Sequence, residues 1–185
     1  PVGLPHGSRW AAGRTNEFRE GKGLAGFVMR NRDIPGSDPA AGTFAFALLG
    51  PEGGKVTHLT GWPRGKWWAS PMLFWDDFSD DGALSPVDAG NKVASLCLNR
   101  DIAPGASAGF TFLLAWHFPN RTPAWCGWAA PKGDEQTIIG NHYSTRFSDA
   151  WSAAEYTAGR LSALEPRMRR FVAAVRESTL PAVVK

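Results

Sequence analysis

The chain has 185 residues, a formal net charge of +3 and an apolar fraction of 43%, which gives room for one domain with a real core, or one domain plus an appended piece. So modest a charge argues against nucleic acid as a partner: Arg160, Arg167, Arg169, Arg170 and Arg176 read as the solvated face of a helix. No apolar run reaches membrane-spanning length and no secretory leader is visible, so we expect no integral membrane segment and, with only two cysteines, a cytoplasmic location.

Twenty-one Gly and fourteen Pro imply many turns, which suits a β-rich architecture better than a helical bundle. Residues 1–23 show no period and read as an irregular lead-in. "GFVMRNRD" (26–33) is a short, mixed strand signal. "TFAFALLG" (43–50) places Phe44, Phe46 and Leu48 on one face by the two-residue period, with "VTHLTGW" (56–62) as the expected hairpin partner. Residues 62–90 interleave four Trp with Asp76, Asp77, Asp80 and Asp81. We expect a long loop there, packed onto a sheet by its tryptophans. The four aspartates are a weak calcium candidate, because the spacing of a calcium-binding loop is missing.

The clearest signal is residues 91–118, two strands around "IAPGAS", where Pro104 and Gly105 fit the centre of a type II turn. In the second strand Phe110, Phe112, Leu114, Trp116 and Phe118 share one face, which we expect to be sandwich core; His117 faces the other way. From Ser148 the period becomes helical through Trp151, Ala154, Ala158 and Leu161. Asp149 stands where an N-cap belongs, Ser152 and Glu155 suggest a capping box, and Pro166 should start a second helix or kink the first. Met168, Phe171, Val172 and Val175 continue an apolar stripe. The fold class expected is therefore mainly β: an antiparallel β-sandwich over 1–147, incomplete at its start, followed by C-terminal helices over 148–185.

Chemistry is harder to find. Cys97 reads as a buried thiol, and neither it nor Cys126 has a zinc-like spacing; we expect no cofactor. No GxSxG stands at a sharp strand-to-helix turn ("GASAG", 105–109, falls between two strands), and Asp134, Glu135 and Asp149 do not single out a pair for glycoside hydrolysis. Trp125 and Trp128 lie beyond Pro119 and Pro123, outside the strand, where core packing explains them poorly. Flat indole faces there suit the C–H faces of a sugar, and a domain interface would use them equally well.

At "FLLAWHFPNR", "IGNHYSTRFSDAW" and "FVAAVRESTLPAVV" the chain resembles glycoside hydrolase family 116, which includes the non-lysosomal glucosylceramidase (bile acid β-glucosidase). "SPMLFWDDFSDDGAL" and "DIAPGAS" are similar to its bacterial members, and the resemblance covers roughly residues 26–185. It implies part of an N-terminal β-sandwich domain and the linker helix toward an (α/α)6 barrel. In that family the barrel carries retaining β-glucosidase chemistry, with its nucleophile Glu and acid/base Asp downstream of the region seen here. No residue of this chain matches either catalytic motif, so the expectation is a non-catalytic portion, inactive alone, whose partners are the barrel and, through it, a β-glucoside. A start at Pro1 and the uncapped ending "LPAVVK" favour a piece of something longer. On this reading His117, Arg121, Trp125, Trp128, Asn141, His142 and Arg146 buttress the domain interface or rim the sugar site. The alternative is a stand-alone carbohydrate-binding β-sandwich using exposed tryptophans.

Overall fold

The computed structural model describes residues 12–66 and 68–184. A meander opens the fold: β1 (Arg14–Gly21), β2 (Leu24–Asn31) and β3 (Thr43–Leu49) run antiparallel, and β6 (Thr111–His117) completes a four-stranded sheet in the order β1-β2-β3-β6. β1 corrects the expected lead-in, whose first eleven residues lie outside the described ones. Its charges hid it, because "RTNEFREG" is an edge strand in which Glu17 holds Arg19 and Arg30 at 2.9 Å each. The reversal into β2 uses Gly23 at φ 74°, a conformation that favours glycine.

A second antiparallel sheet pairs β4 (Lys55–Leu59) with β5 (Ser95–Asn99). It lies over the first: the His58 ring stacks on Phe18 at 3.6 Å between centroids and meets Phe27 edge-on at 5.8 Å. Two expected hairpins are thereby corrected. β4 does not pair with β3, and β5 does not pair with β6. The turn between β5 and β6 forms as expected, with Ala106 N–H donating to Ala103 O at 3.0 Å and Gly105 at φ 77°. It carries the chain from one sheet to the other, because turn chemistry fixes a reversal and leaves open which strand is met next.

The expected long loop is also corrected. It contains α1 (Ser70–Asp81), with Pro71 in the first turn and Gly82 at φ 72° closing the last, its N–H on Phe78 O at 2.9 Å. Tryptophan does anchor this segment: Trp62 donates to Ser95 Oγ at 2.7 Å and stacks on Phe74 at 4.9 Å.

On one face of the four-stranded sheet Leu24, Val28, Ala45 and Ala47 are buried against Ala150, Trp151 and Ala154 of α3 (Ala150–Ala158), with Leu113 and Ala115 of β6 alongside. The opposite face of β6 holds Phe112, Leu114 and Trp116, with Phe110 just before the strand, all exposed, Trp116 at 61%. Toward β6 this apolar face is therefore open, contrary to expectation, although Phe27 and Leu48 on the same face are fully buried. A helix can lie close to a sheet only over small side chains, and Ala45, Ala47 and Ala115 supply them. Phe118 is half-buried, edge-on to Phe44 at 5.3 Å.

Asp149 caps α3, accepting from Ser152 N–H at 2.8 Å while Ser152 Oγ receives the Asp149 N–H at 3.3 Å. This box sits three residues before the expected one; Glu155 instead accepts from Trp151 Nε1. α4 (Leu161–Glu177) starts five residues before Pro166, which lies inside it, and exposes Met168, Phe171 and Val172. No helix among the described residues is long and apolar enough to cross a membrane.

Candidate functional site

Past β6 the chain folds into a long excursion that returns to α3. Its two arms run antiparallel: Asn141 N–H bonds Pro119 O at 3.0 Å, Ile139 N–H bonds Arg121 O at 2.7 Å and Ala124 N–H bonds Glu135 O at 2.9 Å. Asn120 ties its base to the turn after β2, donating to Gly36 O and Asp38 O at 2.6 and 2.9 Å. At its tip Thr122, buried, caps the single-turn helix α2 (Pro123–Cys126) by accepting from Trp125 N–H at 3.2 Å. Gly127 at φ 66° ends that turn. Pro123 sits in its first turn, where its missing N–H costs nothing.

This local chemistry throws two indoles outward. Trp125 is 69% exposed and Trp128 52%. The Arg121 guanidinium lies 4.1 Å above the Trp128 ring, and its Nε reaches Cys126 Sγ at 3.1 Å. Stacking of this kind holds the indole's orientation and adds a cationic edge to its apolar face.

A second cluster holds the base. Tyr143 Oη donates to Phe118 O at 2.5 Å and accepts from Phe118 N–H and from Asn141 Nδ2, each at 3.2 Å. Asn141 also donates to Phe118 O at 2.8 Å. His117 packs edge-on to Tyr143 at 5.3 Å; it is only 5% exposed, and its Nε2 has no partner among the described residues. His142 is exposed, and Arg146 lies over Phe147 and Tyr156 at 5.3 and 5.4 Å. The hydrogen bond from Arg146, with the charge of Arg160, draws the Tyr156 hydroxyl below the ordinary phenol range.

The seven residues singled out by the sequence therefore fall into three groups rather than one constellation. Arg121, Trp125 and Trp128 form the exposed tip; His117 and Asn141 belong to the buried base; Arg146 belongs to α3's outer side, with His142 exposed between. Tyr143 and Thr122 escaped notice, since each works by tertiary contact or by capping a single turn too short to show a period.

Four of the remaining carboxylates have structural roles. Glu135 accepts from Gly133 N–H, Asp149 caps α3, Asp77 accepts from Ser85 N–H and Asp81 from Ala83 N–H. The calcium candidates Asp76, Asp77, Asp80 and Asp81 lie in the C-terminal half of α1, where Asp77 and Asp81 accept from backbone N–H groups just past the helix. Among the described residues no three His, Cys, Asp or Glu side chains gather as a metal ion requires. A separate cleft of about 390 Å³ between α1 and β5 is walled by Phe74, Phe78, Leu96 and Phe112, and contains none of the seven.

Compared with known proteins, residues 2–164 match the family model described as beta-glucosidase 2, glycosyl-hydrolase family 116 N-term. No curated protein matches the chain.

Proposed function

Because the chain belongs to glycoside hydrolase family 116 through its N-terminal domain, we propose that it acts as the non-catalytic β-sandwich portion of a retaining β-glucosidase or glucosylceramidase-type enzyme. In this reading residues 1–147 form the sandwich and residues 148–185 lead toward a catalytic (α/α)6 barrel. The chain alone hydrolyses nothing. The observation that carries the reading is the built, exposed tip: Trp125 and Trp128 face solvent while Arg121 stacks on one of them at 4.1 Å. Exposed apolar surface of this kind marks contact with a partner or a sugar. The exposed stripe Met168, Phe171 and Val172 on α4 supports a barrel-facing side. Two free thiols, Cys97 and Cys126, fit a cytoplasmic setting.

The test is Arg121→Ala in the enzyme that joins this domain to its barrel. We expect a raised KM or a lowered unfolding midpoint; if both stay at the wild-type value, the tip has no such role. The same exposed indoles favour one alternative, a stand-alone carbohydrate-binding module. Saturable quenching of Trp fluorescence by alkyl β-glucosides on the isolated chain, lost in Trp128→Ala, would select it.

A further inference from the structure

The two edges of the four-stranded sheet are built differently. β1 carries Arg14, Glu17, Arg19 and Glu20, and Glu17 is bridged to arginines on its own strand and on β2. Charges of this kind stop an edge from recruiting another strand. β6, at the other edge, reads "TFLLAWH": no Lys, Arg, Asp, Glu or Pro. Among the described residues it pairs only with β3, so the backbone along its other side has no strand partner. Phe112, Leu114 and Trp116, successive side chains on one face, each leave about half of their surface in solvent.

We propose that β6 is the interface of a homodimer, in which two copies pair β6 with β6 antiparallel about a two-fold axis through Leu114. The sequence is self-complementary in that register. Leu114 meets its own copy, and Phe112 of each chain lies opposite Trp116 of the other, the aromatic cross-strand pairing that stabilises sheets. Counting the strand backbone and the flanks of these side chains, the pairing buries on the order of 1,000 Å² in total. That is the low end for a specific interface, so the dimer forms at high concentration and dissociates on dilution. The charged β1 edges, now outermost, end the assembly at two copies. This inference is independent of the domain's role beside a barrel.

Light scattering on the eluting chain, from about 1 μM to several hundred μM, tests it directly. The expected result is a mass that doubles with concentration. Leu114→Lys, a charge at an exposed edge position, should hold the mass at one copy, while Trp125→Lys, at an equally exposed indole elsewhere, should leave the doubling intact. Hydrogen exchange on the unmodified chain should slow at Phe112–Trp116 as concentration rises, a readout that does not depend on the variant folding. A monomer throughout, open-ended assemblies, a dimer indifferent to Leu114→Lys, or unprotected β6 amides at high concentration would each overturn the proposal.

Discussion

At the scale of the residue, Tyr143 shows how one hydroxyl can set a loop. It satisfies both backbone groups of Phe118 and one Asn141 proton, at the point where the chain leaves the sheet. Tyr143→Phe removes these bonds and keeps the ring against His117. We expect a loss of about 1–2 kcal/mol, read from urea unfolding. His58 is a different case. Burial between the sheets lowers its pKa, an effect that Glu20 partly opposes. The unfolded chain then binds the proton more readily than the folded one. The stability that neutral His58 allows is complete above its ordinary, unfolded pKa and is lost as pH falls from there through the lowered folded value. His58→Phe, which keeps a ring on Phe18, should flatten the stability profile as pH falls below about 6.5; an unchanged slope in urea midpoints would refute this. Legibility at this scale was uneven. The exposure of Trp125 and Trp128 could be read from two prolines that end the strand, and Asp149 announced its cap. Tyr143 could not be read, since its partner lies twenty-five residues back in the chain.

Among the elements, α3 is the one on which the sheet depends. Trp151, 6% exposed, lies in the same cluster as Leu24 and Val28, and Ala150 N–H donates to Thr43 Oγ1 at 2.9 Å. Trp151→Ala should cost about 3–5 kcal/mol by leaving a cavity under the helix. Trp125→Ala, at an exposed indole, should stay within about 0.5 kcal/mol. Thermal unfolding of the pair decides it, and equal losses would mean that the core is elsewhere. Strand periods located β2, β3 and β6 correctly, but β6 leaves Phe112, Leu114 and Trp116 exposed where sandwich core was expected. Periodicity separates two faces; the close approach of a helix selected the one with small residues. α1 was hidden by its proline and its aspartates, although Phe74 and Phe78 stand four apart and Gly82 closes the turn.

For the molecule as a whole, the four-stranded sheet is assembled from distant parts. β1 and β2 are joined by a two-residue turn and β2 and β3 by an eleven-residue loop, whereas β6 arrives only after the second sheet and α1 have been threaded between Leu49 and Thr111. That order in space has a consequence in time. Closing a long loop costs entropy before any contact offsets it, so local pairing is favoured first. The β1–β2–β3 meander is thus the natural nucleus, and β6 with α3 is the late addition. Damage within the meander should mainly slow refolding; damage in β6 or α3 should leave refolding rates nearly intact and hasten escape from the folded state.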